Sequence, residues 1–289
     1  MSRGNIAIWF DPATQWYAPS KGKQGRNQTY SDAAIQCCLM IKSLFRLSLR
    51  MVTGFVQSLI KLCGLNWIAP DYTTLCRRQK HIDIVISYQK SSDGLHLLMD
   101  STGMKFLGEG EWKRKKHGPE SRRQWRKLHI GIDAKTLQIR AVPLTTNNVS
   151  DSQVLGDLLN QIPQDERIDS VYTDGAYDTK QCRQVIADRQ AHAVIPPRKN
   201  AKPWKDTKSS SLERNELLRT VKRLGRTIWK NWSGYHRRSL IETKMHCIKL
   251  LGDKLRARNF QSQVNEIHAR VAVLNKFTDL GRPHTQVAT

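Results

Sequence analysis

Apolar residues recur at helical spacing from residue 31 to about residue 47, with Ser31 placed as N-cap and Asp32 in the first turn. A second periodic run follows Ser48 and stops at Leu62, just before Gly64. A short third helix is expected from Asp71, an N-cap after Pro70, and it carries Arg77, Arg78 and Lys80. Past a polar linker, residues 89–94, the period becomes that of strands. Residues 96–100 form an apolar run ending in Asp100, and Ser101-Thr102-Gly103 is expected to break it. Two strands, 128–133 and 138–144, lead to a helix over 152–162 capped by Ser150 or Asp151. A short strand then ends at Asp174, a helix spans 179–189 with Asp178 as its cap, and a strand over 192–195 stops at Pro196-Pro197. Leu240, Ile241, Met245, Ile248 and Leu251 predict one long helix that includes Tyr235, and a further helix covers about 264–277.

This order gives a mixed α/β region preceded by helices. The expected division is a helical, helix-turn-helix-like region at 1–90, a catalytic α/β domain at 91–255 and a C-terminal helix and tail at 256–289. A basic insert interrupts the α/β domain at 197–234. It holds eleven Lys/Arg against three acids, and Leu217, Val221, Leu224 and Ile228 predict a helix inside it.

Charge narrows the partners. The 289 residues carry 48 Lys+Arg against 25 Asp+Glu, a net +23 that draws polyanions, chiefly nucleic acid. Arg77 and Arg78 on the third helix are candidate DNA contacts. So are Lys113, Lys115, Arg122 and Arg123, in a basic run that also holds Trp112 and Trp125. No apolar run reaches membrane-spanning length and no basic-then-apolar leader opens the chain, so the expectation is a cytoplasmic protein without a membrane partner. The six cysteines form no CxxC pair, and buried free thiols are expected rather than zinc.

Three acids stand out by position. Asp100 and Asp174 each end an expected strand, and Glu242 lies on the long helix. At about 100° per residue, Tyr235, Arg238, Glu242 and Lys249 fall within an arc of roughly 60°. Carboxylates brought together repel one another and raise one another's pKa, a penalty that a divalent cation removes. Oxygen ligands without a His/Cys cluster favour magnesium or manganese. His129 and His246 are candidates for structural or phosphate-side roles, since magnesium rarely takes imidazole.

Leu97-Leu98-Met99-Asp100-Ser101-Thr102-Gly103, Tyr172-Thr173-Asp174-Gly175-Ala176-Tyr177-Asp178, and Tyr235, Arg238, Glu242 and Lys249 in their spacing resemble the motifs of bacterial insertion-sequence transposases of the DDE class. The last pattern matches the insertion-sequence-four and -five groups, with the five group favoured. The resemblance implies an RNase H-like core with an N-terminal helical DNA-binding domain. It implies that Asp100, Asp174 and Glu242 are catalytic and hold two Mg2+ ions, for which Mn2+ can substitute. It gives Tyr235, Arg238 and Lys249 DNA phosphate-binding roles, and it makes Trp229 and Trp232 candidates for stacking on a base, with core packing the plainer reading. The implied partners are double-stranded DNA, as transposon ends and target, and a second copy of the chain in the DNA complex. The implied place is the bacterial cytoplasm, at the nucleoid.

Two other readings use the same residues. One is an RNase H-like structure-specific nuclease or resolvase that hydrolyses and never joins. The other is a non-catalytic DNA-binding regulator, which leaves the three carboxylates without a purpose.

Overall fold

The computed structural model describes residue 10 and residues 13–20, 27–90, 93–107, 116, 124–205 and 207–281. The chain divides into two compact units, one of residues 1–87, 106–108 and 247–289, the other of residues 88–105 and 109–246.

In the first unit, α1 (Asp32–Leu44), α2 (Leu49–Leu62) and α3 (Tyr72–His81) begin where the sequence places their caps. Ser31 Oγ accepts from the amide of Ala34 at 3.1 Å and Ser48 Oγ from that of Met51 at 3.4 Å. Asp71 Oδ1 accepts from the amides of Thr73 and Thr74, which satisfies two donors that a helix start leaves open. The C-terminal helix, named α9 below (Phe260–Asp279), packs on α1 and α3 in this same unit. Its Ala269, Ala272 and Val273 join Ile35, Ile41, Val56 and Leu75 in one core.

The second unit is built on a mixed sheet. β1 (Leu95–Phe106) pairs antiparallel with β2 (Arg126–Asp133), which in turn pairs with β3 (Ile139–Ala141) and β4 (Leu144–Thr146). On its other side β1 runs parallel to β5 (Ile168–Tyr172), and β5 runs parallel to β6 (His192–Val194). The order is thus β3-β2-β1-β5-β6. Helices α4 (Asp151–Asn160) and α5 (Lys180–Asp188) make the connections that parallel pairing needs. Their Leu155, Leu158, Cys182 and Ile186 pack with Leu95, Leu97 and Met99 of β1. Leu98 and Asp100 alternate to the opposite face.

Several expectations are corrected. β1 does not break at Ser101-Thr102-Gly103, because its ladder with β2 continues to the Met104–Arg126 pair. Asp100 therefore lies within the strand. The helix of the basic insert is two helices, α6 (Ser209–Leu224) and α7 (Arg226–Trp232), divided at Gly225. Leu224 and Ile228 are exposed, and α6 instead buries Ser211, Arg214, Asn215 and Leu218. Asn215 exchanges two hydrogen bonds of 2.8 Å with the backbone of Trp204, which explains how a polar stripe faces inward. All six cysteines are free, but only Cys38 and Cys182 are buried, and Cys76 is exposed. Among the described residues no helix is long and apolar enough to cross a membrane.

Candidate active site

The register of the parallel strands brings two of the acids together. Leu98 pairs with Tyr172 as the last rung between β1 and β5. Asp100 and Asp174 each follow two residues later, and Asp174 is still extended (φ −80°, ψ 177°). Both side chains thus emerge beyond the carboxyl end of β5, the edge at which open α/β sheets bind ligands. Asp174 caps the 3-10 turn Gly175–Tyr177, its Oδ1 accepting from the amide of Ala176 at 2.9 Å. Arg198 fixes the same turn, donating to the carbonyls of Gly175 (3.0 Å) and Ala176 (2.9 Å).

Glu242 arrives from a different element. The expected single helix is a 3-10 turn, Tyr235–Arg238, followed by α8 (Ser239–Leu250). Gly234, at φ 65°, makes the left-handed step that admits the turn. α8 buries Ile241, Met245 and Ile248, which leaves Glu242 turned outward with its side chain 63% exposed. In the tighter 3-10 turn, residues three apart eclipse, so Tyr235 and Arg238 share one side.

Arg238 ties the acids together. Its Nη2 donates to Asp100 Oδ2 at 2.7 Å and its Nη1 to Glu242 Oε1 at 3.2 Å. Its Nε is buried and has no hydrogen-bond partner. Burial works against the charge of Arg238, yet Asp100, Tyr235, Asp174 and Glu242 outweigh it and raise its pKa. Burial pushes the Asp100 carboxyl above the usual range, against the opposing pull of Arg238 and the Ser101 amide, and Asp174 adds to the rise. Tyr235 is likewise held protonated by burial and by Asp174 and Asp100, although Arg238 pulls the other way.

Two acids near this edge carry roles that local sequence does not announce. Asp151, the first residue of α4, reaches Lys127 Nζ at 2.9 Å and His129 Nδ1 at 3.5 Å, and its charge contributes to raising Asp100. The signal for it in the sequence is the alternation of Lys127 and His129 on β2, which puts both on one face. Asp178 is not the expected cap, a place taken by Thr179, whose side chain accepts from the Cys182 amide. It is buried and receives Arg183 Nε (3.0 Å) and Arg214 Nη2 (3.0 Å) on its two oxygens.

The remaining candidates are scattered. Trp229 is buried (3% exposed) with its ring tilted on Tyr235 at 5.6 Å. Trp232 is 79% exposed and borders a cavity of about 400 Å³ lined also by Tyr172, His192 and Leu217. Arg77 is exposed on α3, whereas Arg78 is turned to the carbonyl of Tyr30 (3.0 Å) and to the Asp32 carboxylate. His129 is buried, its Nε2 2.9 Å from Thr145 Oγ1, and His246 is exposed. Lys249 is half-buried on the part of α8 that belongs to the first unit. Lys113, Lys115, Arg122 and Arg123 lie outside the described residues.

A family model for the transposase DDE domain matches residues 91–276, and a second transposase DDE domain model matches residues 1–109. The chain belongs to the DDE transposase family. Among solved structures, one similar chain comes from the cryo-EM structure of the simian T-cell lymphotropic virus intasome in complex with PP2A regulatory subunit B56 gamma. It is 17% identical, with a TM-score of 0.26, and the match covers 60% of this chain and 59% of that one.

The family implies a divalent metal, and the donors of this DDE domain fit one in kind. Asp100, Asp174 and Glu242 offer hard carboxylate oxygens, and a monovalent cation, the guanidinium of Arg238, already stands between two of them. Among the described residues no three His, Cys, Asp or Glu side chains are gathered as a ligand set. Asp100 and Glu242 are thus held as an ion-paired group on Arg238, with Asp174 beside it.

Proposed function

We propose that this DDE transposase cuts DNA at the terminal inverted repeats of an insertion sequence of the four/five type and joins the freed 3′-OH to target DNA. The observation that carries the reading is the meeting of Asp100 and Glu242, far apart in sequence, on one guanidinium beside Asp174. In this reading the sheet is an RNase H-like core, and Asp100, Asp174 and Glu242 hold two Mg2+ ions, or Mn2+ in their place. When bound, such a pair supplies Lewis acidity at the attacking and leaving oxygens of an in-line phosphoryl displacement.

The chain's own groups position the DNA. Tyr235 keeps its phenol proton through burial beside two carboxylates, so it enters the reaction as a hydrogen-bond donor to a phosphate oxygen. Asp100 and Glu242 would hold a divalent ion in place of their pairing with Arg238, whose planar fork would then be free to pair with the scissile phosphate. Lys249 adds a point charge to the same strand. Arg198 holds the turn that carries Asp174, so the carboxylate keeps its direction when Arg238 departs. Arg77, Lys113, Lys115, Arg122 and Arg123 track the backbone of double-stranded DNA, and Trp232 offers an exposed face for a base. Two ends require two active sites, so the working form is a dimer or larger assembly on DNA, in the bacterial cytoplasm.

The test is strand transfer from a pre-cleaved transposon end into a plasmid, with Mg2+ supplied. Joined product from the native chain, and none from Asp100→Ala, Asp174→Ala or Glu242→Ala, is the expected result. Hydrolysis without joining would make the protein a nuclease or resolvase. Magnesium-indifferent DNA binding with no cleavage would make it a regulator.

A further inference from the structure

The first unit contains a cavity that the chemistry at Asp100, Asp174 and Glu242 does not use. It has a volume of about 190 Å³ and lies between the end of α1, the segment after α8 and helix α9. Five cationic side chains line it, those of Lys42, Arg46, Lys254, Arg256 and Arg270. Two acids, Asp253 and Glu266, face them.

The acids do not neutralise this surplus. Asp253 is exposed. Glu266 is buried and already committed, accepting from Arg270 at 2.8 Å and from the amides of Arg256 and Ala257 at 3.0 Å each. Besides the Arg270–Glu266 pair, the guanidiniums are tethered by backbone carbonyls. Arg46 donates to Leu250, Arg256 to Arg46, and Arg270 to Gly252 and Lys254. A Cβ on Gly252 would lie 2.8 Å from Arg270 Nη2, so a glycine is what lets that guanidinium approach. Each guanidinium has five N–H donors and so keeps some free for a ligand.

Lys42 is the decisive group. It is only 7% exposed, it lines the cavity, and among the described residues no hydrogen bond or ion pair reaches its ammonium. A side chain this deeply buried whose ammonium makes no direct pair, and whose one nearby acid, Glu266, is already bound by Arg270, is favoured by a ligand that brings further negative charge. Burial accordingly pushes the Lys42 pKa down, with Glu266 opposing and Arg270 and Arg256 reinforcing the fall.

We infer that this cavity is a binding site for a phosphate-type oxyanion, with Lys42 as its central ligand and Arg256 and Arg270 at its rim. The surplus positive charge excludes a metal cation, and the volume suits a single tetrahedral oxyanion rather than a nucleotide. Donors converging from three segments match an ion with several oxygens. The source is either free phosphate or one backbone phosphate of DNA. The inference is independent of the DDE chemistry, since none of these residues belongs to that site.

The test compares thermal unfolding of the full chain in inorganic phosphate and in chloride at matched ionic strength. Phosphate is expected to raise the native midpoint saturably. Lys42→Met is expected to be at least as stable as the native chain in chloride and to lose the phosphate response, while Lys61→Met, at an exposed position, keeps it. A second readout needs no variant. Acylation of Lys42, followed by peptide mass spectrometry, should slow about tenfold once phosphate stands at about ten times its Kd. A short duplex with 5′-hydroxyl ends identifies the source, because it suppresses the phosphate response only if a backbone phosphate occupies the site. Equal phosphate responses in native and Lys42→Met chains, or an acylation rate at Lys42 that phosphate does not change, would overturn the inference.

Discussion

Asp174 and Asp178 lie four residues apart on one turn, yet the fold treats them in opposite ways. Asp178 is buried, and Arg183 and Arg214 fill both of its oxygens from two different helices. Asp174 is half-exposed and accepts a hydrogen bond from a backbone amide of its own turn. Asp100 and Glu242 resemble Asp174, since the arginine they share sits at the surface end of the sheet with Glu242 largely in solvent. A carboxylate whose acceptors are filled by buried partners holds elements together. One that keeps acceptors open, or shares a cation able to leave, remains available for chemistry.

The sharpest way to break this contrast is to remove the charge of each acid in turn. Asp174→Asn should leave the unfolding midpoint nearly unchanged and lower strand transfer at least as far as the ~10²–10³ lost with a single electrostatic donor elsewhere. Asp178→Ala should do the reverse in kind. It strands Arg183 and Arg214 in the interior, so the second unit should lose about 3–5 kcal/mol in denaturant unfolding. If Asp178→Ala unfolds no more easily than the native chain, the distinction between the two acids is wrong.

A smaller effect comes from His129, which burial holds near pKa 4 although Asp151 pulls the other way. A histidine depressed in the folded state is neutral there, so its contribution to stability is complete above its unfolded value of about 6.5. That contribution drains as the pH falls from about 6.5 toward 4 and amounts to no more than about 3 kcal/mol. The unfolding midpoint of the native chain should therefore drop more steeply over that window than that of His129→Gln. An imidazole titrating near 6.5 by NMR would show that the environment of His129 is not dry.

What could be read from sequence and what could not divide along the same physical line. Ser31, Ser48 and Asp71 mark helix starts because a cap acts on amides within three residues, which a linear pattern records. The apolar runs before Asp100 and Asp174 mark two strands of the sheet. The continuation of β1 through Gly103 does not show locally, because pairing with β2, rather than composition, maintains it. Asp178 looks like a cap until Arg214, from a helix in the basic insert, arrives beside it. The 3-10 turn at Tyr235 is also hidden, since the apolar period begins only at Leu240 and leaves the winding before it undefined. Asp151 needed the pairing of β2 with β1 before its closeness to the acids had meaning.

Arg238 gives the finest test of the contrast, because it predicts two effects of opposite sign. As long as the guanidinium bridges Asp100 and Glu242, any divalent ion has to displace it. The Glu242 pair is largely open to solvent and the Asp100 pair mostly buried, so together they are worth about 1 kcal/mol or more, a factor of roughly five or more in affinity. Arg238→Ala should therefore bind Mn2+ at least about fivefold more tightly in the absence of DNA, as read by the loss of free-ion electron paramagnetic resonance signal. The same variant should join DNA ends more slowly, because the scissile phosphate loses its bidentate donor. A residue that only supported the fold would lower both quantities together. Weaker Mn2+ binding in Arg238→Ala would place Arg238 with Arg183 and Arg214, as architecture, and would remove the exchange of guanidinium for metal from the mechanism.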